Sequence, residues 1–349
     1  MTRRSSWLAT PFVGLLGGLI ASAVGWPLPW IVGPMLAVIC IRCTGWLIAD
    51  IPHGRKGGQW IIATGIGLHF TEDVVQQMLG HASIILICAL LTLLLSFVGV
   101  VIFRRSGNEP VTSFFASMPG GASEMINLAS RYGALHLDRV AASQSMRMVL
   151  IVLCVPVLFS WGVPAVPAPE RLPVDWGWLA ILFPLGGLIA LGWQHLHKPN
   201  PWMLGPLFVC ALAAAGLDVR TELPIGVGEA GQWLMGCSLG SYFDRAFFRS
   251  APAFLLRVVA FTLLMSLGAA GIGWGIAHFS GLSAIGVMLG MMPGGISEVS
   301  LTAMALNQSV ALVTAIQVVR FVMVVFLAEP SFMLWSRLGG MSSKEGPPS

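Results

Sequence analysis

Two carboxylates stand beside two helix breakers in otherwise apolar sequence. Met118-Pro119-Gly120-Gly121 is followed by Ala122-Ser123-Glu124, and Met292-Pro293-Gly294-Gly295 by Ile296-Ser297-Glu298, 174 positions later. Proline removes an amide donor and clashes with the preceding turn, and two glycines then let the backbone reverse. At membrane depth such backbone is tolerated only where it is buried in protein or lines a water-filled cavity. Ser123 and Ser297 suit the N-caps of half-helices that resume after each break. The free first-turn amides and positive dipole end there can receive an anionic group. Glu124 and Glu298 fall in those first turns. Each either complements its own helix dipole or acts as a titratable or cation-coordinating carboxylate in a permeation site, since intramembrane ionisable residues mark functional sites.

A second polar pair follows each break. Gln144-x-x-Arg147 and Gln317-x-x-Arg320 each put both side chains on one helix face. A charged arginine in an apolar segment needs a partner. Glu124 with Arg147, and Glu298 with Arg320, are the pairs the chain order suggests. They read either as structural ion pairs or as a site where one arginine holds a substrate carboxylate or phosphate bidentately. The candidate substrate- or ion-binding set is therefore Pro119, Gly120, Gly121, Ser123, Glu124, Gln144 and Arg147, with Pro293, Gly294, Gly295, Ser297, Glu298, Gln317 and Arg320. No three-ligand metal spacing, Walker motif or nucleophile elbow is present, so the expectation is a protein with no catalytic residues, metal or cofactor. The six cysteines, including Cys40-x-x-Cys43, lie in apolar segments and read as small packing residues.

The elements that must hold these residues are membrane helices. The chain of 349 residues is 56% hydrophobic and 10% charged, well below the charge content of a soluble domain, with a mean hydropathy of +0.82. Apolar runs such as 8–24, 82–103, 176–196 and 254–277 recur along its length, which is the spanning-helix signal. No polar stretch is long enough for a DNA-binding or nucleotide-binding domain. The start, Arg3-Arg4 before an apolar run and Ala21-Ser22-Ala23, imitates a signal peptide, but an internal repeat argues for a retained first helix.

Five blocks recur in order. Leu16–Ala21 matches Leu185–Ala190, Pro29-Trp30-x-x-Gly33-Pro34 matches Pro201-Trp202-x-x-Gly205-Pro206, and Gly58-Gln59-Trp60 matches Gly231-Gln232-Trp233. The Met-Pro-Gly-Gly and Gln-x-x-Arg blocks follow, and the offsets are 169, 172, 173, 174 and 173. The division is a membrane repeat at 1–163, a Pro-rich linker at 164–175, a second repeat at 176–338 and a short polar tail at 339–349. Each repeat has six apolar segments, the fifth carrying Pro-Gly-Gly.

Loop charge arbitrates whether that fifth segment crosses or turns back. Setting aside Arg42, Arg147, Arg257 and Arg320 leaves fifteen basic residues. If every segment crosses, ten of them share the cytoplasmic side; if both Pro-Gly-Gly segments are re-entrant, thirteen do. The second arrangement gives five crossings per repeat, so the two repeats are inverted. The fold class is then an all-α polytopic membrane protein with ten spans, two re-entrant or broken segments, and both termini cytoplasmic. Inverted repeats with broken helices at the midplane are a secondary-transporter architecture.

The paired Pro-Gly-Gly, Pro-Trp-x-x-Gly-Pro and Gln-x-x-Arg blocks resemble the AbrB duplication family of bacterial inner-membrane proteins, over about residues 10 to 338. That family is distinct from the soluble DNA-binding AbrB regulator of the same name. The resemblance implies a multi-pass protein of the bacterial inner (plasma) membrane, grouped with elevator-type transporters, in which homodimers are common. Family labels include ammonia monooxygenase, for which no clustered metal site is visible here, and regulator of gene expression. The expected function is secondary transport of a small solute by alternating access, coupled to protons or cations. The expected partners are that solute or ion and the lipid bilayer, and no nucleic acid. The alternative is a non-transporting membrane protein that affects gene expression indirectly.

Overall fold

Residues 7–46, 48–105, 109–162 and 171–337 are described by the computed structural model. The linker expected at 164–175 lies largely outside them, and the tail at 339–349 wholly so. The described residues form sixteen α-helices and no strand: α1 (Ala9–Ala23), α2 (Pro29–Cys43), α3 (Gly54–Gly67), α4 (Glu72–Gly80), α5 (Ala82–Arg104), α6 (Pro110–Ser117), α7 (Ala122–Arg131), α8 (Leu137–Gly162), α9 (Trp176–His195), α10 (Pro201–Gly216), α11 (Val227–Gly240), α12 (Arg245–Ser250), α13 (Pro252–Ser280), α14 (Ala284–Met291), α15 (Ile296–Ala305) and α16 (Val310–Trp335). Apolar segments become helices because a bilayer offers no partners for unpaired backbone groups. Pro29, Pro110, Pro201 and Pro252 stand in the first turns of their helices, where the missing amide costs nothing.

Helices α5, α8, α9, α13 and α16 are long and apolar enough to cross a membrane, and α1, α2 and α10 are shorter apolar helices. The protein is a helical, multi-pass membrane protein. Two short helices lie between the apolar segments. Glu72 and Asp73 open α4, where acidic side chains complement the helix dipole, and residues 245–250 form α12.

The chain divides into two compact units. The first contains α1–α4, α9–α12, α8 from Val152 onward and α15 from Ser300 onward. In it α1, α2 and α11 pack together, as do α9, α10 and α3. Small residues permit these close crossings. A Cβ on Gly33 would run into the Gly17 carbonyl, and one on Gly205 would lie 3.0 Å from Ala190 N. A Cβ on Gly14 would lie 2.9 Å from the Trp233 indole, and one on Gly187 2.6 Å from that of Trp60. These contacts relate residues 173 positions apart: Gly14 with Gly187, Gly17 with Ala190, Trp60 with Trp233. The sequence match of Leu16–Ala21 to Leu185–Ala190 is thus displaced by four residues, one helical turn. Small residues recur at each turn there, so the sequence block alone does not fix the register.

The second unit contains α5–α7, α13, α14, α8 up to Ile151 and most of α16. Its core is aromatic: Phe103, Phe114, Phe115, Phe254, Phe261 and Phe332 are buried together with Met118, Met125 and Val258. The sequence between α5 and α8 folds back on itself. Glu109, just before α6, accepts hydrogen bonds from Thr112 Oγ1 and from Leu135 N, just beyond α7, so both ends of the α6–α7 segment lie together. Further in, Phe115 stacks near Tyr132, ring centroids 6.1 Å apart. The second segment behaves alike. Gly286 lies against Leu312, Gly290 against Ile316, and Met292 against Arg320, so α14 and α16 ascend in parallel. The chain between Met292 and Leu312 must therefore return, which makes α14 and α15 a second hairpin.

The glycine contacts in the first unit are sterically closed. Gly33→Leu is expected to destabilise the purified protein by about 3 kcal/mol or more, seen as a lower thermal midpoint in detergent. Gly192, whose Cβ would meet nothing within 4 Å, tolerates alanine with a change below about 1 kcal/mol.

Candidate functional site

Each hairpin breaks at its Pro-Gly-Gly, and each break is organised by one carbonyl. Gly120 N donates to Met118 O at 2.9 Å across Pro119, and Gly294 N to Met292 O at 2.8 Å across Pro293. These are three-residue turns. Helices α6 and α14 have already ended, so the carbonyls of their last turns have no intrahelical donors. The Gln-x-x-Arg pairs supply them. Gln144 Nε2 donates to Phe115 O (3.1 Å) and Met118 O (2.9 Å), and Arg147 Nη1 to Met118 O (3.2 Å). In the second half Gln317 Nε2 donates to Gly290 O and Met292 O, both at 3.0 Å, and Arg320 Nη1 to Met292 O at 2.6 Å. Arg320 Nη2 also reaches Gly294 O at 2.7 Å. Within each pair the arginine donates to the glutamine: Arg147 Nη2 to Gln144 Oε1 at 2.6 Å, and Arg320 Nη2 to Gln317 Oε1. Both glutamines are fully buried and both arginines are 2% exposed.

The expected ion pairs are not formed. Among the described residues no salt bridge joins Glu124 to Arg147 or Glu298 to Arg320. The arginines turn to helix C-terminal carbonyls, where the dipole favours a cation. The glutamates stay at the opposite poles. The first intrahelical bonds, Met125 N to Gly121 O and Val299 N to Gly295 O, make the second glycine of each motif the N-cap. That corrects the expectation for Ser123 and Ser297, which lie inside the first turn. Glu124 and Glu298 occupy the third helical position, from which a glutamate reaches back towards its N-cap. A Cβ on Gly121 or Gly295 would collide with the carboxylate of Glu124 or Glu298. The glycines thus leave room for the carboxylates to fold back, and none of the four serves a left-handed backbone, since neither they nor Gly120 and Gly294 have positive φ. The glutamates differ between the halves: Glu298 is buried and accepts from Ser297 Oγ at 2.9 Å, whereas Glu124 is half-buried and Ser123 exposed.

The two breaks converge. Gly120 faces Val324 and Gly121 faces Phe321 of α16, at 3.0 and 3.3 Å from the position a Cβ would take. Gly294 faces Ile151 of α8 at 2.8 Å by the same measure. Each break is hydrogen-bonded by the long helix of its own half and packed on the long helix of the other. Pro119 and Pro293 are buried with them.

Several contributors were invisible as chemistry in the sequence. Ser143 Oγ donates to Ala116 O at 2.7 Å. Glu109 ties the mouth of the first hairpin. At the far end of α7, Glu329 accepts from Tyr132 Oη at 2.8 Å and pairs with Arg131 at 3.2 Å. The motif's position could have pointed to the Met118 and Met292 carbonyls, but backbone oxygens carry no residue signature. Among the described residues no three His, Cys, Asp or Glu side chains gather in a metal-ligating group.

Gln144→Leu and Gln317→Leu each leave buried carbonyls and an arginine N–H unmatched, and are expected to cost about 2 kcal/mol or more. Glu124→Gln, which keeps the shape and loses only the dipole interaction, is expected to cost under about 1 kcal/mol. Thermal unfolding of the purified variants checks the order.

Comparison with known proteins covers most of the chain. Residues 30–336 match the family model described as transition state regulatory protein AbrB. The chain is 27% identical to the protein YhjN of Bacillus subtilis (strain 168), covering 94% of this chain and 92% of the relative. It is 28% identical to the proposed regulator AbrB of Escherichia coli (strain K12), covering 85% and 87%. With the family model matched over most of its length, the chain belongs to the AbrB family of membrane proteins.

Proposed function

We propose that the protein is a secondary transporter built from two inverted repeats, with ten spans and two re-entrant hairpins, in the bacterial inner membrane with both termini cytoplasmic. The observation that carries this reading is the convergence of the two hairpin breaks in one unit, each braced by Arg and Gln on the long helix of its own half. Broken helices meeting at the midplane are how many transporters assemble a substrate site, and irregular backbone there must be buried or line a cavity. In this reading Glu124 and Glu298 carry protons or bind the coupling cation. In this reading the α1–α4 and α9–α12 unit is the scaffold, and the unit that holds both breaks is the transport core. The division of the chain into those two units supports the assignment, and a homodimer would join scaffolds. A relative described as a regulator favours a secondary consequence: transport of a signalling solute would alter gene expression indirectly.

Flux into proteoliposomes tests the reading. With a metabolite extract outside and a pH dye inside, the wild type is expected to admit a solute together with a proton or cation current. Glu124→Gln and Glu298→Gln are expected to lower coupled flux by tenfold or more, the scale of a lost proton-transfer group. Wild-type rates and coupling in both variants would overturn the site assignment. Topology has its own check. Single cysteines at 108 and 134 are expected to label from the same, cytoplasmic side, and labelling from opposite sides would contradict re-entry.

A further inference from the structure

Arg147 and Arg320 are deeply buried, and neither forms an ion pair with a carboxylate among the described residues. Each guanidinium carries five N–H donors. Arg147 directs two of them at Met118 O and Gln144. Arg320 directs three at Met292 O, Gly294 O and Gln317. In both side chains Nε is buried with no acceptor among the described residues. Carbonyls at the ends of α6 and α14 offset part of each charge. They do not fill the remaining donors, and unfilled buried donors on a charged group are costly. The two side chains approach the same crossing: Arg320 Nη2 donates to Gly294 O, and Gly294 packs on Ile151, one turn beyond Arg147 on α8. The nearby carboxylates are engaged elsewhere: those of Glu124 and Glu298 fold back over their N-cap glycines. Two guanidiniums with unused donors are thus held by glutamine and backbone at the crossing of the breaks, the donor set that an anion would fill. Their planar forks match an oxyanion with two acceptor oxygens better than a spherical halide.

We propose that Arg147 and Arg320 together bind one small oxyanion, a carboxylate or phosphate group bridging the two guanidiniums, so that the solute carried at this crossing is an oxyanion. The inference rests on the transport reading of the same site and names its substrate class.

The test uses the full-length protein in nanodiscs at constant ionic strength. Inorganic phosphate, succinate or chloride is titrated while thermal unfolding is followed, because a ligand of the folded state raises the midpoint with concentration. Phosphate or succinate is expected to raise it saturably, and which of them does so identifies the anion; chloride is expected to leave it unchanged. Arg147→Lys and Arg320→Lys keep the charge and lose the fork, and each is expected to weaken the apparent affinity about tenfold or more. If either variant fails to fold, phenylglyoxal labelling of the wild type read by mass spectrometry replaces it, and the effective anion is expected to protect both arginines. No shift with phosphate or succinate, or an unchanged shift in both lysine variants, or protection of neither arginine, overturns the proposal. The transport reading fails separately. Anion binding without any flux would leave this inference standing and remove transport, and flux of a neutral or cationic solute without an anion-dependent shift would do the reverse.

Discussion

The carbonyl oxygens of Met118 and Met292 each accept three hydrogen bonds, from the glycine amide across the proline, from a glutamine and from an arginine. The rest of the site depends on this. Ending a helix inside a hydrocarbon layer strands carbonyls that lipid cannot satisfy. The protein answers with side chains placed one turn apart on a neighbouring helix. The donors must be buried, and a buried arginine is expensive without compensation. The helix C-terminal dipole and the glutamine together make the arrangement tolerable. Buried donors and acceptors thus tie α8 to the first break and α16 to the second.

A consequence is a separation of charge at each break. The C-terminal pole of the first half-helix takes the arginine and the N-terminal pole of the second takes the glutamate. A direct Glu–Arg bridge would have neutralised both and left the carbonyls unmet. Keeping them apart leaves the carboxylates over the N-cap glycines and each guanidinium held by carbonyls and a glutamine. The buried Glu298 and the half-buried Glu124 make the halves unequal despite their common plan.

Much of this was legible in the sequence. The apolar segments correspond to the helices within a few residues, and the Pro-Gly-Gly pairs mark the breaks. Gln144, Arg147, Gln317 and Arg320 lie at those breaks. The partner of each arginine was not legible, because a backbone carbonyl has no letter and a nearby glutamate does. Helix capping was misread for a related reason: Ser123 and Ser297 have cap chemistry, but the helices start at the residue after the second glycine. The register of the first block slipped by a turn, since Gly14, Gly17 and Gly18 offer interchangeable small residues and only the facing Trp233 decides. The short helices α4 and α12 carry too few apolar residues to be distinguished from charged loops.

The central claim is that the break of one half packs on the long helix of the other, and one cross-link reads it directly. Gly120→Cys and Val324→Cys would be combined in a cysteine-free protein carrying a protease site within 163–170. Under oxidising conditions the two halves are expected to stay joined after cleavage and to separate on reduction. Halves that separate without reduction, although both cysteines remain free to oxidise, would contradict the crossing on which the account is built.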